Sequence, residues 1–101
     1  MNDYLLLMHD DCPAPPHDSF DEDWGRYIAR LQASGHFRGG SAIGPGICAR
    51  RSGVVPPATR HLSGYIRISA GDLDEARGLL AGNPVFEAGG TVEIRELPRT
   101  G

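Results

Sequence analysis

Apolar residues occupy both parities of the first segment, Asp3-Tyr-Leu-Leu-Leu-Met-His9, before Asp10-Asp-Cys-Pro13 closes it. A short run that is apolar on both sides reads as a central strand covered on each face. Pro13, Pro15 and Pro16 forbid regular structure in the loop over 10–18. The period then changes. Phe20, Trp24, Tyr27, Ile28 and Leu31 recur at steps of three and four, which predicts an amphipathic helix of about 15 residues. Ser19 or Asp18 can cap it, Asp21, Glu22 and Asp23 suit its N-terminal dipole, and Gly35 ends it.

The second strand is expected over 36–44, where Gly39 and Gly40 permit a bulge or a close backbone approach. Residues 45–62 are rich in Pro and Gly and read as an irregular link, with Ile47-Cys-Ala-Arg50 as a brief hairpin arm. Ser63 to Ala70 alternates, with Ile66, Ile68 and Ala70 on one face and Tyr65, Arg67 and Ser69 on the other. Asp72 then caps a second helix with Leu73, Ala76, Leu79 and Leu80 as its buried stripe, stopped by Gly82-Asn-Pro84. Gly90 to Leu97 alternates again, Val92 and Ile94 against Thr91, Glu93 and Arg95.

The order β-α-β, link, β-α-β predicts an α+β, ferredoxin-like βαββαβ domain, a four-stranded antiparallel sheet with two helices on one face. Ile66, Ile68, Val92 and Ile94 fall beneath the helices, and Tyr65, Arg67, Glu93 and Arg95 on the opposite, uncovered face. Because strand one is apolar on both sides, that open face is expected to be covered by a second copy. The result is a homodimer with a pocket between two sheets.

Length and charge narrow this further. At 101 residues the chain makes one domain, 1–101. Its longest apolar run, Tyr4 to Met8, is far short of a membrane span. No basic-then-apolar leader precedes it, so no membrane partner and a cytoplasmic location are expected. Ten basic residues, all Arg, stand against thirteen acids, for a net charge of −3. No basic cluster suggests a nucleic-acid partner. Residues 10–23 hold six acids and no base, −6, which leaves +3 for the rest, and an anionic ligand would prefer that remainder. Cys12 and Cys48 have no metal-finger or disulfide-framework spacing and are expected as free thiols. His9-Asp-Asp-Cys12 and His17-Asp18 do not match structural zinc spacings, so neither a metal nor a cofactor is expected.

The chain also resembles the YCII-related, DGPF-type domain family. The resemblance rests on Tyr4-Leu-Leu-Leu-Met8, Ala29-Arg-Leu-Gln-Ala-Ser-Gly35, Gly39-Gly40 and Leu62-Ser-Gly-Tyr65. Asp72-Leu-Asp-Glu-Ala76, Asn83-Pro84 and Gly90-Thr-Val-Glu-Ile-Arg95 complete it, leaving only the loops 10–18 and 47–60 unmatched. It implies a ferredoxin-like fold pairing as a dimeric α/β barrel, and a His in the first helix with an Asp in an Asp-Pro step. Tyr27 stands at that His position and Asn83 at that Asp position, and residues 54–60 lack the DGPF signature. Neither replacement titrates like the original.

The remaining chemistry lies on the open face and its rim. His9, at the end of strand one, is the candidate base, with Asp10 or Asp11 to orient it. His61 can reach the same rim, whereas His17 and His36 carry no expected role. Arg67 and Arg95 could clamp a carboxylate, or form an Arg–Glu network through Glu93 that holds two protomers together. Tyr65 and Tyr27 complete the ligand-binding candidates, although Trp24 and Tyr27 read first as core or interface aromatics and only second as a ligand platform. Gly39-Gly40 and Gly44-Pro-Gly46 lack phosphate-loop spacing, and Cys48 has no His partner close in sequence. Two readings follow. The first is a homodimer binding a small anionic molecule in an inter-sheet pocket. The alternative is a cofactor-independent enzyme moving a proton on an organic acid or lactone, as a lyase, isomerase or hydrolase would, with His9 as base.

Overall fold

A computed structural model describes residues 1–13 and 20–98. The elements follow the expected order: β1 (Asn2–His9), α1 (Phe20–Ala33), β2 (Phe37–Ala42), β3 (Leu62–Ala70), α2 (Leu73–Gly78), α3 (Pro84–Glu87) and β4 (Val92–Leu97). The strands form one antiparallel sheet in the order β2-β3-β1-β4, which is the ferredoxin-like arrangement. Among the described residues no helix is long and apolar enough to cross a membrane.

The strand alternation decides what lies under the helices. Leu6 pairs with Ile66 on one side and Ile94 on the other, and Tyr4 pairs with Ile68. These side chains pack with Tyr27 and Leu31 of α1, Ala76 of α2, and Leu80 and Val85 beyond it. Leu5 and Leu7 point to the other face, where they stay half-buried. Helix α1 closes as a Schellman motif. Gly35 takes φ +79°, its N–H bonds the Gln32 carbonyl at 3.1 Å, and the His36 N–H bonds Leu31 at 3.1 Å. The Ser19 or Asp18 cap, like His17, lies outside the described residues.

Three expectations are corrected. The second helix stops at Gly78 after six residues, and Asn83-Pro84 starts a further turn, α3, instead of ending a helix. Asn83 caps that turn, its Oδ1 accepting from the N–H groups of Val85 and Phe86 at 3.0 and 3.1 Å, and Pro84 supplies the preset φ of a first helical position. Leu73 is 51% exposed, not part of a buried stripe, because α2 is too short to press its first turn onto the sheet. Third, β2 is shorter than 36–44, and the link beyond it forms no strand pairing at 47–50.

The two glycines of β2 do both things open to them. Gly39 takes φ +118° within an irregular register between Phe37 and Gly40. Gly40 lies so close to β3 that a Cβ there would sit 2.6 Å from the Tyr65 carbonyl oxygen. Residues 43–61 then leave the body as an arm that doubles back. Cys48 Sγ meets the Pro57 carbonyl at 3.5 Å, and Arg50 donates to the Val54 carbonyl at 2.9 Å. The arm shows in the dimensions: the radius of gyration is 15.1 Å, against about 13 Å for a compact chain of this length.

Candidate functional site

On the open face, His9, Tyr65, Arg67, Glu93 and Arg95 share one side of the sheet, as the alternation requires. His9 sits at the end of β1, where the pairing with β3 shifts register between Met8 and His9. Its Nε2 meets Glu93 Oε1 at 3.0 Å, and the other Glu93 oxygen accepts from Arg95 at 3.3 Å. The His61 ring stands edge-on to His9, centroids 4.9 Å apart. The hydrogen bond from His9, with Arg95 assisting against partial desolvation, holds the Glu93 carboxyl below the ordinary glutamate range.

The orienting partner of His9 is therefore Glu93, which replaces the expected Asp10 or Asp11. Asp10 is exposed, and its backbone N–H bonds the His61 carbonyl at 2.6 Å. Asp11 is taken up by Thr91, accepting from its hydroxyl at 2.7 Å and its N–H at 2.8 Å. Those bonds, the hydroxyl's foremost, lower its pKa. Arg67 and Arg95 do not converge. They flank Leu5 from β3 and β4, Arg67 bonding Asp3 at 3.1 Å while Arg95 bonds Glu93. Asp3 also accepts from the Ser69 hydroxyl at 2.9 Å. Within the chain each guanidinium has a carboxylate already, which leaves no paired clamp.

Tyr27 lies on the other side of the sheet, 2% exposed, and its hydroxyl donates to the Leu79 carbonyl at 2.8 Å. Burial raises its pKa; the Asn83 side chain and Arg30 offset part of the rise. The Asn83 amide is near enough to favour the phenolate, but its fully buried Nδ2 reaches no hydrogen-bonding geometry with any described residue. The two positions that the YCII resemblance assigns to an acid/base pair thus meet beneath the helices as a neutral packing and capping pair.

A second feature lies on this helix side. Between the first half of α1 and strands β1, β3 and β2 runs a cleft of about 820 Å³. Phe20, Trp24 and Ile28 of α1, with Met8, Phe37 and Val85, dominate its apolar lining, while His9, Asp10, Cys12, Asp21, Ser41, Ser63 and Tyr65 carry the polar groups that border it. Its cause is local. Met8 faces Gly64 across β1–β3, and Gly40 and Ala42 are the next residues outward, so little side-chain volume fills the space under α1. Phe20 and Trp24 meet edge to face at 6.3 Å, as do Trp24 and Tyr27 at 5.9 Å, which fixes the ring that roofs the cleft. From the sequence, Trp24 reads as a core or interface aromatic and Ile28 as part of the buried stripe of α1. The signal for a cleft was present in Gly39-Gly40 and Gly64, but only the register of β2 on β3 places Gly40 and Gly64 below the same helix.

Cys12 and Cys48 are free thiols. Among the described residues no group of three or more His, Cys, Asp or Glu side chains stands close enough to hold a metal ion. No protein-family model matches the chain, and no curated protein matches it. Among solved structures, it is similar to 5-chloro-2-hydroxyhydroquinone dehydrochlorinase from Burkholderia phenoliruptrix AC1100, in complex with 2,5-dihydroxybenzoquinone. The alignment covers 97% of this chain and 95% of that one at 15% identity, with a TM-score of 0.53. Identity at that level shows a shared fold, and a shared fold does not carry a reaction with it.

Proposed function

We propose that the chain is a homodimer that binds a small, flat, mainly apolar molecule with a polar edge in the cleft between α1 and the sheet. The observation that carries this reading is the cleft itself, with the rings and aliphatic groups of α1 along one wall and Met8, Phe37 and Ile66 beside the glycine backbone of Gly40 and Gly64 along the other. Such a slot rewards a planar ring, while His9, Asp10 and Cys12 offer orientation at its border. A dihydroxylated ring of the kind bound by the structural neighbour has this chemistry. The inter-sheet anion site finds less support, since Arg67 and Arg95 already meet Asp3 and Glu93. Leu5 and Leu7, half-buried on the face away from the helices of the described residues, favour a second copy's open face as their cover.

Trp24 is the sole tryptophan and lines the cleft, so its emission reports occupancy. Titration with 2,5-dihydroxybenzoquinone is expected to quench it saturably, and Ile28→Phe, which narrows the slot, is expected to weaken binding. Linear quenching identical to that of a free tryptophan amide overturns the reading. An enzymatic reading is favoured by one observation: His9 borders the cleft while Glu93 holds its Nε2, which leaves Nδ1 to exchange a proton with a bound molecule. If that holds, His9→Gln and Glu93→Gln abolish turnover of the bound ring compound without releasing it.

A further inference from the structure

The arm over 43–61 supplies no residue to the cleft lining or the core, touching the site only through His61 at its end, and its surface is unusual. Nineteen residues without helix or strand are more than a domain of this size ordinarily leaves unsupported. Ile47 is 92% exposed, Val54 85% and Val55 48%. Such side chains, carried together on one projecting element, mark an interaction surface. The arm also has a sign. It holds Arg50, Arg51 and Arg60 and no acid, a formal +3, in a chain of net charge −3. The matching negative surface borders the cleft, where Asp10 and Asp21 line the opening and Glu22 follows on the first turn of α1.

We infer that the arm of one copy docks across the cleft mouth of a second copy, with Ile47 and Val54 against the apolar lining and Arg50 and Arg51 against Asp21 and Glu22. The occupant is a second copy and not the same chain, for a structural reason. The arm starts from Ala42 and Ser63, which themselves line the cleft, and the Ile43 N–H to Ser63 carbonyl bond of 3.0 Å continues the β2–β3 ladder outward. That bond directs the root of the arm along the sheet edge and away from its own cleft, and a two-fold pair exchanges two arms with the ladder intact. The same cleft is used as in the proposed function, but the inference rests on its shape and charge and not on the ligand.

Trp24 again provides the readout, because pairing through the open sheet face leaves the α1 side uncovered. Shielding of Trp24 from acrylamide is expected to rise with protein concentration, and Ile47→Asp with Val54→Asp is expected to raise quenching several-fold at high concentration. Arg50→Glu with Arg51→Glu in one chain, and Asp21→Arg with Glu22→Arg in another, should each lose the shielding alone. An equimolar mixture should recover it, since both arm–mouth pairs are then of opposite sign. Shielding that is independent of concentration, unchanged by the arm substitutions, or unrecovered in the mixture overturns the inference. The quinone titration is repeated on the Ile47→Asp, Val54→Asp protein. Ring binding that persists there while shielding fails rejects the arm alone, and shielding without ring binding rejects the ligand alone.

Discussion

The two faces of the sheet are built from the same strands and obey different physics. On the helix side, Tyr4, Leu6, Met8, Ile66 and Ile68 are each under 5% exposed, so each contributes through apolar area removed from water. On the other side, Leu5 and Leu7 alternate with Asp3, Arg67, Glu93 and Arg95, whose ion pairs stay exposed. Exposed pairs contribute at most about 1 kcal/mol each. The covered face therefore holds the fold together. On the open face the charges are instead matched within the chain, Arg67 by Asp3 and Arg95 by Glu93.

The sharpest way to break that contrast is a matched pair of truncations one residue apart. Leu6→Ala, at a position with no exposed surface, is expected to cost about 2–5 kcal/mol in urea denaturation. Leu5→Ala should cost well under half of that in dilute protein, with a larger loss at concentrations where two copies associate. Equal costs at every concentration would mean the two faces are equivalent.

A smaller effect tests the polar side of the buried face. Asn83→Ala removes the cap of α3 and is expected to cost about 1 kcal/mol, with Asn83→Ser recovering part of it. Because Asn83 Nδ2 has no partner among the described residues, the truncation also removes an unsatisfied donor, which keeps the loss at the low end. A thermal-melt shift larger than that of Leu6→Ala would show that Asn83 does more than cap.

The smallest effect concerns pH on the open face. Glu93 has its folded pKa depressed below 4.5, chiefly by the His9 hydrogen bond. A group of that kind stabilises the fold above its unfolded pKa, and the contribution is lost as pH falls through the depressed value. Glu93→Gln is therefore expected to flatten the stability profile below about pH 4.5, followed by urea midpoints across an acid series. An unchanged slope would place the acid sensitivity elsewhere, with Asp11 and its bonds to Thr91 the next group to replace.

Much of this was legible in the chain and some was not. The period of 3.6 identifies α1, the short run apolar on both parities identifies β1, and the period of two identifies β3 and β4 and assigns Ile66, Ile68 and Ile94 to one face, because side-chain direction follows from backbone repeat alone. His9 and Glu93 could be placed on one face but not joined, since the residues are 84 apart in sequence and meet through the register of β4 on β1. Asp10 and Asp11 read as the partners of His9 because they are its neighbours along the chain. Next to a strand end, proximity in sequence says little about proximity in space.

What the sequence determined by itself is local: β1 as a short apolar strand, the helical stripe of α1, and the side of the sheet that each alternating side chain of β3 and β4 takes. That follows from local geometry and the cost of leaving apolar area in water. Tertiary structure alone decided that Asn83 starts a turn, that Tyr27 is a packing residue, that Arg67 turns to Asp3, and that Gly40 and Gly64 open a slot under Trp24. Each of those depends on which strand lies beside which and in what register, and register is a long-range property that no local pattern encodes.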